Sequence, residues 1–299
     1  MEQKIRFIVA AMQEVSWPEM IQRWQLLEAS GLDGIMLADH FVNFASPKAH
    51  WYESWTLLAA LATQTKTVRI GLLSALPWRN PAFLARQAMT VDHISNGRLD
   101  LGLGAGAPGS VDVSYAMTGT PDWPPKERVD RFREFVEIID QLLRNPESSY
   151  AGNYYQIQGT IINPLPIQKP RPPLMIGGNG PRMLKIAAQY ADTWNTFGGE
   201  NVKSFEEMLT LTRERNIRLD GYCAEIGRDP TTLRRSVLIY TNEEYQRIYS
   251  MPGAFADIVK RYREIGITEI IFFYPFVPIL MPMFEQIVNE AIPGLRQAI

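Results

Sequence analysis

Two hydrophobic periods alternate along this chain. Short apolar runs bounded by Gly, Pro, Asn or Asp read as buried strands. Stretches with an apolar residue every three or four positions read as helices. The short runs predict strands over 5–11, 34–38, 68–73, 99–103, 174–176, 193–196, 233–240 and 269–273. The longer period predicts helices over 17–30, 54–65, 81–94, 126–143, 181–190, 202–226, 253–265 and 281–291. In the helix over 126–143, Phe132, Phe135, Val136, Ile139 and Leu142 share one face. Pro81 sits in the first turn of another, where its missing N–H costs little.

Strands alternating with helices in this number predict an α/β fold, a parallel (β/α)8 TIM barrel rather than a doubly wound sheet. No linker divides the pattern, so one domain over 1–299 is expected. Two insertions interrupt the alternation. Residues 107–125, after strand four, form a loop rich in Gly, Pro, Ser and Asp. Residues 148–173, before strand five, carry Tyr150, Tyr154, Tyr155 and several prolines, and predict a small hairpin plus an extended run. Long loops after barrel strands are where substrate selectivity resides.

Composition narrows the class. A chain of 299 residues, 46% hydrophobic and 21% charged, is globular and suits one closed barrel. A net charge of −2 gives no basic footprint for nucleic acid. The single cysteine, Cys223, excludes an internal disulfide framework and a cysteine-rich metal site; its place late in a helix predicts packing, and no metal is expected. The first residues lack the basic start and apolar run of a signal peptide. The longest apolar stretch, 265–280, is broken by Gly266, Glu269, Pro275 and Pro278, so no membrane span is expected. A soluble cytoplasmic protein follows as the expectation.

Candidate chemistry gathers at two glycine turns. One is Asn96-Gly97-Arg98-Leu99-Asp100-Leu101-Gly102-Leu103-Gly104-Ala105-Gly106, the other Ile176-Gly177-Gly178-Asn179-Gly180. Each is an apolar strand running into glycines, and a helix follows the second. Such turns bare backbone N–H groups to an anion; they also suit strand ends that pass closely. Together they point to a phosphate-bearing cofactor across the ends of adjacent strands.

Asp39 and His40 directly follow strand two, at the C-terminal mouth where barrel enzymes keep catalytic groups. His40 can exchange a proton near neutral pH. Asp39 can orient a ring or accept a cofactor hydrogen bond. The plainer alternative is a helix cap beside a satisfied histidine. His93 reads as structural and His50 as a pocket rim. Phe41, Phe44, Trp51, Tyr52, Trp55 and Trp78 suit either a slot for a flat ring or the pinning of their own loops.

These residues resemble the bacterial luciferase-like monooxygenase family, in its deazaflavin F420-dependent branch. Three motifs carry the resemblance, which extends over nearly the whole chain. They are Ala38-Asp39-His40-Phe41, the segment from Asp92-His93-Ile94-Ser95 to Gly106, and Arg171-Pro172-Pro173-Leu174 through Gly180 to Ala191-Asp192-Thr193-Trp194-Asn195. The resemblance implies a cofactor ring at the mouth, with its phosphate side near Ala105, Gly106, Gly177, Gly178, Asn179 and Gly180. It implies that Asp39 contacts the ring's head group and that His40 is the acid/base beside the hydride-accepting carbon. It further implies a non-proline cis peptide at Ser74-Ala75 that backs the ring, and a homodimer.

One departure stands out. Sugar-phosphate dehydrogenases of this family carry a glutamate shortly after the strand-four glycines. Here Ala107-Pro108-Gly109 follow, and Asp112 is the nearest acid. That argues against a sugar-phosphate substrate and leaves a second proton-transfer group unidentified.

The expected function is an F420-dependent oxidoreductase that moves a hydride between the deazaflavin and a small organic substrate. The alternative is an FMN-dependent monooxygenase using molecular oxygen, and a third reading is a flavin binder without turnover. FMN ends at one phosphate. F420 adds a phosphodiester and an acidic tail, for which Arg182 and Lys185 are either candidate cations or ordinary solvated helix charges. Phe272, Phe273, Tyr274, Phe276 and Val277 fill the core around strand eight or serve a dimer interface.

Overall fold

The computed structural model of the chain describes residues 4–43, 46–198, 202, 204–239 and 242–297. Among these residues, eight parallel strands close a barrel in chain order. They are β1 (Arg6–Ala10), β2 (Gly34–Ala38), β3 (Arg69–Ala75), β4 (Leu99–Gly104), β5 (Leu174–Gly177), β6 (Thr193–Phe197), β7 (Arg234–Leu238) and β8 (Glu269–Phe273). Each lies within two residues of the expected bounds, save that Tyr240, the expected end of strand seven, falls outside the described residues. Closure runs through the register Arg6↔Glu269 to Ala10↔Phe273.

Both faces of every strand are covered, which explains the continuous apolar runs. In β1, Phe7 and Val9 face the helices while Ile8 and Ala10 face the barrel interior. β2 and β8 repeat this: Ile35, Leu37, Ile270 and Phe272 pack outward, Met36, Ile271 and Phe273 inward. At the barrel floor the inward side chains are charged. Arg6 pairs with Asp100 at 2.8 Å and with Glu269 at 2.9 Å. Towards the mouth the interior becomes apolar, with Ile8, Ala10, Met36, Met175, Ile271 and Phe273 in one cluster.

The helices wrap the outside: α1 (Trp17–Ala29), α2 (Ser54–Gln64), α3 (Pro81–Ile94), α4 (Pro125–Arg144), α5 (Pro181–Tyr190), α6 (Phe205–Glu225) and α7 (Ala254–Glu264). A closing segment follows, helical over Met281–Gln286, widened over Ile287–Ala291 and helical again over Ile292–Gln297. Local chemistry sets their starts. Asn80 accepts from the N–H groups of Ala82 and Phe83 just ahead of Pro81. The Glu53 carboxylate does the same for Trp55 and Thr56. In α4 the five periodic residues Phe132, Phe135, Val136, Ile139 and Leu142 are all fully buried.

The second insertion holds the expected hairpin, Glu147–Ala151 antiparallel to Gln156–Ile161. Two short helices, Ser114–Thr118 and Asn242–Ile248, were not expected. Elements this short show no period, and packing rather than propensity holds them. Around strand eight Phe272 and Phe273 are buried while Phe276 and Val277 are exposed, so the apolar run divides between core and surface. No helix among the described residues is long and apolar enough to cross a membrane.

Candidate active site at the barrel mouth

Buried polar side chains fix the end of β2. Gln13, just past β1 and fully buried, donates from Nε2 to the carbonyls of Ala38 (2.8 Å) and Tyr52 (3.0 Å). Its Oε1 accepts from the Ala38 N–H at 3.2 Å, and Ser54 Oγ donates to the Ala38 carbonyl at 2.7 Å. Asp39 and His40 therefore leave the barrel from an anchored point.

Asp39 is buried, and both its oxygens accept hydrogen bonds. It accepts from Ser74 Oγ at 2.8 Å, from Arg79 Nε at 3.0 Å and from Arg79 Nη2 at 2.5 Å. Arg79 Nη2 also donates to Glu53 at 2.8 Å. Burial works against the Arg79 charge, but the two carboxylates outweigh it and raise its pKa above the ordinary arginine value. Burial likewise pushes the Glu53 carboxyl up, and the bonds from Thr56, Arg79 and Trp55 more than reverse that. Ser74 is thus brought to Asp39.

His40 meets an acid from a different segment. Its Nδ1 lies 3.0 Å from Oδ2 of Asp112, and its carbonyl accepts from Trp51 Nε1 at 2.8 Å. Asp112 belongs to the insertion after β4, and its Oδ1 accepts from the Ser114 N–H at 2.9 Å. Burial raises the Asp112 carboxyl, yet the bonds from His40 and Ser114 prevail and hold it below the usual carboxylate range. In the sequence Asp112 stands only as the nearest acid; nothing there marks its partner. Glu14, past β1, was also missed. It accepts from Asn43 Nδ2 at 3.3 Å, and burial pushes its carboxyl up.

The glycine turns stand side by side because β4 and β5 pair, with Leu103 opposite Ile176. Gly106 has φ +83°, and a Cβ there would meet the Pro77 ring at 2.9 Å. A Cβ on Gly178 would meet Met183 at 2.8 Å. Ala105 and Gly177 are half-buried between these positions. Asn179 spends its side chain on the scaffold, donating to the Phe197 carbonyl and accepting from Thr196 Oγ1, both at 2.9 Å. Gly180 begins α5 with no side-chain cap. The N–H groups of the first helical turn, beyond Pro181, have no partner within the helix and suit an anion.

Several expectations change. The cis peptides among the described residues are Asn163-Pro164 and Lys169-Pro170, so the Ser74-Ala75 peptide is trans. β3 stays paired with β4 through Ser74↔Leu103 and Ala75↔Gly104, and that extended ladder is made by trans backbone. Trp55 belongs to the core at 3% exposure and lines no slot. Trp51, Tyr52 and Trp78 are half-buried, Trp78 with its ring 5.0 Å from Tyr115; Phe41 is exposed. Phe44 lies outside the described residues. His93 bonds the Leu165 carbonyl at 2.9 Å, His50 is exposed in its loop, and Cys223 is buried in α6.

Arg182 and Lys185 are drawn into contacts between helices. Arg182 pairs with Asp130 and donates to the Lys126 carbonyl at 3.1 Å, tying α5 to α4. Lys185 pairs with Glu225 at 3.3 Å and lies 4.7 Å over the Tyr222 ring, tying α5 to α6.

Comparison with known proteins agrees with the barrel fold. The family model for luciferase-like monooxygenases matches residues 5–246. An F420-dependent glucose-6-phosphate dehydrogenase of Amycolatopsis mediterranei is 31% identical over 187 residues, 61% of this chain and 54% of that protein. The oxygenase component of a flavin-dependent trigonelline monooxygenase from Acinetobacter baylyi is 30% identical over 179 residues, 59% of this chain and 47% of that protein. The chain thus spans about half the length of these relatives. Among solved structures, an F420-dependent secondary alcohol dehydrogenase in complex with an F420-acetone adduct superposes with a TM-score of 0.79 at 19% identity, covering 97% of this chain and 99% of that one. A long-chain alkane monooxygenase gives 0.77 at 16% identity, covering 100% and 92%. At such identities the superpositions establish the barrel; the family model, matched over most of the chain, establishes that this protein belongs to the luciferase-like monooxygenase family.

Proposed function

We propose that the chain is an F420-dependent oxidoreductase that passes a hydride between the deazaflavin and a small organic substrate. The observation that carries this reading is the placement of His40, beside the buried Asp39, on the same rim as the paired glycine turns of β4 and β5. The F420-dependent relatives support the choice of cofactor.

The residues present fit such a group. The uncapped start of α5 and the backbone of Ala105, Gly106, Gly177, Gly178, Asn179 and Gly180 suit the phosphate. Asp39, with Ser74 and Arg79 bonded to it, would hold the head of the ring. When bound, F420 supplies the carbon that gives or takes the hydride. His40 holds or moves the accompanying proton. The glycine turn after β4 is followed by Ala107-Pro108-Gly109 and carries no glutamate there, which argues against a sugar phosphate as substrate.

One observation favours the alternative, an FMN-dependent monooxygenase using molecular oxygen. Arg182 and Lys185, two cations of the helix that follows the cradle, already pair with Asp130 and Glu225. A single phosphate needs no further cation for an acidic tail. The same reading takes 1–299 as one domain, working as a homodimer in the cytoplasm.

The test is a titration of the purified apoprotein with F420 and with FMN, each followed by cofactor fluorescence. Tight F420 binding with weak FMN binding supports hydride transfer. The reverse order favours the monooxygenase, and oxygen uptake with reduced FMN then becomes the decisive assay.

A further inference from the structure

We propose that Asp112 is a positioning residue for His40, holding the imidazole with the proton on Nδ1 and so making Nε2 the acceptor nitrogen of the neutral ring. This rests on the reading of His40 as the proton-transfer group. The contact is 3.0 Å, and the two side chains differ in exposure, 26% for His40 and 4% for Asp112. An ionised carboxylate only accepts hydrogen bonds, so Nδ1 is the donor. A neutral imidazole carries one proton, which leaves Nε2 as the acceptor. A proton arriving at Nε2 makes an imidazolium that faces the carboxylate.

The carboxylate is itself held in place. Its second oxygen accepts from the Ser114 N–H at 2.9 Å, and the Asp112 N–H donates to the Pro108 carbonyl at 3.1 Å. Tyr115 OH donates to the Ala107 carbonyl at 2.7 Å, and its ring packs on Trp78. The insertion after β4 thereby delivers one acid to one ring nitrogen. With both oxygens engaged and the side chain buried, Asp112 is placed to orient a proton carrier rather than to serve as a second one. The remaining acid beside His40 along the chain, Asp39, is committed to Ser74 and Arg79.

The tautomer can be read without cofactor or substrate. Long-range proton–nitrogen correlation on protein labelled with nitrogen-15 histidine, at a pH where the rings are neutral, reports which nitrogen carries hydrogen. The chain has 3 histidines, and His40→Gln assigns the signal. His93 is an internal control of opposite sense, because its Nε2 must donate to the Leu165 carbonyl. The expected result is hydrogen on Nδ1 of His40 and on Nε2 of His93. Asp112→Asn should move His40 towards the Nε2–H form and lower kcat by at least about tenfold, with cofactor Kd within about twofold. Asp112→Glu should restore the Nδ1–H form. Hydrogen on Nε2 of His40 in the unsubstituted protein overturns the proposal without any variant needing to fold. An unchanged tautomer in a folded Asp112→Asn protein overturns it as well. Failure of the cofactor reading would show separately, as loss of F420 binding with the tautomer result intact.

Discussion

Arg79 grips Asp39 with two nitrogens, Nε at 3.0 Å and Nη2 at 2.5 Å, and so neutralises a carboxylate that is almost wholly buried at the barrel mouth. A planar fork matches a carboxylate in a way a single ammonium cannot. The same guanidinium reaches Glu53, the cap of α2. One side chain therefore links the end of β2, the turn after β3 and the start of a helix.

Removing that fork strands a buried charge. Arg79→Met should cost on the order of 3 kcal/mol, the scale seen when one partner of a buried pair is deleted. Arg79→Lys should recover only part of it, because one donor direction is lost. Urea unfolding of the three proteins measures this. An Arg79→Met midpoint equal to the parent's would show that Asp39 finds another partner.

Asp112 gives stability an acid-sensitive component. Its carboxyl is held below the usual range in the folded state by His40 and Ser114, against the effect of burial. The unfolded chain therefore binds the proton more readily, and stability rises with pH in that window. The contribution is fully present above the unfolded value of about 3.9 and is lost as pH falls through the folded value. The stability gap between the parent and Asp112→Asn should close below about pH 4. A gap that persists unchanged at lower pH would place its origin in packing.

Arg182 and Lys185 are bound into exposed ion pairs, and their removal should be mild. Each change to Ala should cost less than about 1 kcal/mol, with much of that gone at high salt. Because both cations are already paired between helices, F420 affinity should move by no more than about twofold, well under 1 kcal/mol. A tenfold loss of affinity would instead assign them to the cofactor's acidic tail. Fluorescence titration beside thermal unfolding separates the two.

What the sequence makes legible follows physical range. The strands are legible because burial on both faces writes a continuous apolar run, as in Ile35, Met36 and Leu37. The start of α3 is legible because Asn80 and Pro81 act within one turn. The pairing of the two glycine turns follows from strand order. The His40–Asp112 contact spans 72 positions and depends on how an insertion folds back, so no local period announces it. The Ser114–Thr118 helix that steadies Asp112 is too short to show a pattern. Arg79 and Gln13 escape for the same reason: each acts through side-chain reach between strand ends. The trans peptide at Ser74-Ala75 shows the limit of resemblance, since the family's isomer is not a property that local residue types dictate.

Gly180 offers a change that should move stability and binding in opposite directions. Its backbone is extended, with φ −75° and ψ 155°, and a Cβ there would meet nothing within 4 Å. Those are the conditions of a good N-cap, and the position now has no side-chain hydrogen bond. An aspartate supplies an acceptor for the first-turn N–H groups and a negative charge at the positive end of α5. Gly180→Asp should therefore stabilise the fold, by a few tenths to about 1 kcal/mol. The same carboxylate occupies the N–H groups that the phosphate would use and repels it. Affinity for F420 and FMN alike should fall by at least about tenfold, a loss of about 1.4 kcal/mol. Gly106→Ala provides the contrast: at φ +83° and with the Pro77 ring 2.9 Å away, the methyl should destabilise the protein outright. Thermal unfolding and cofactor titration on the two variants test both halves. If Gly180→Asp raises stability yet binds either cofactor as tightly as the parent, the anion site is not at the start of α5.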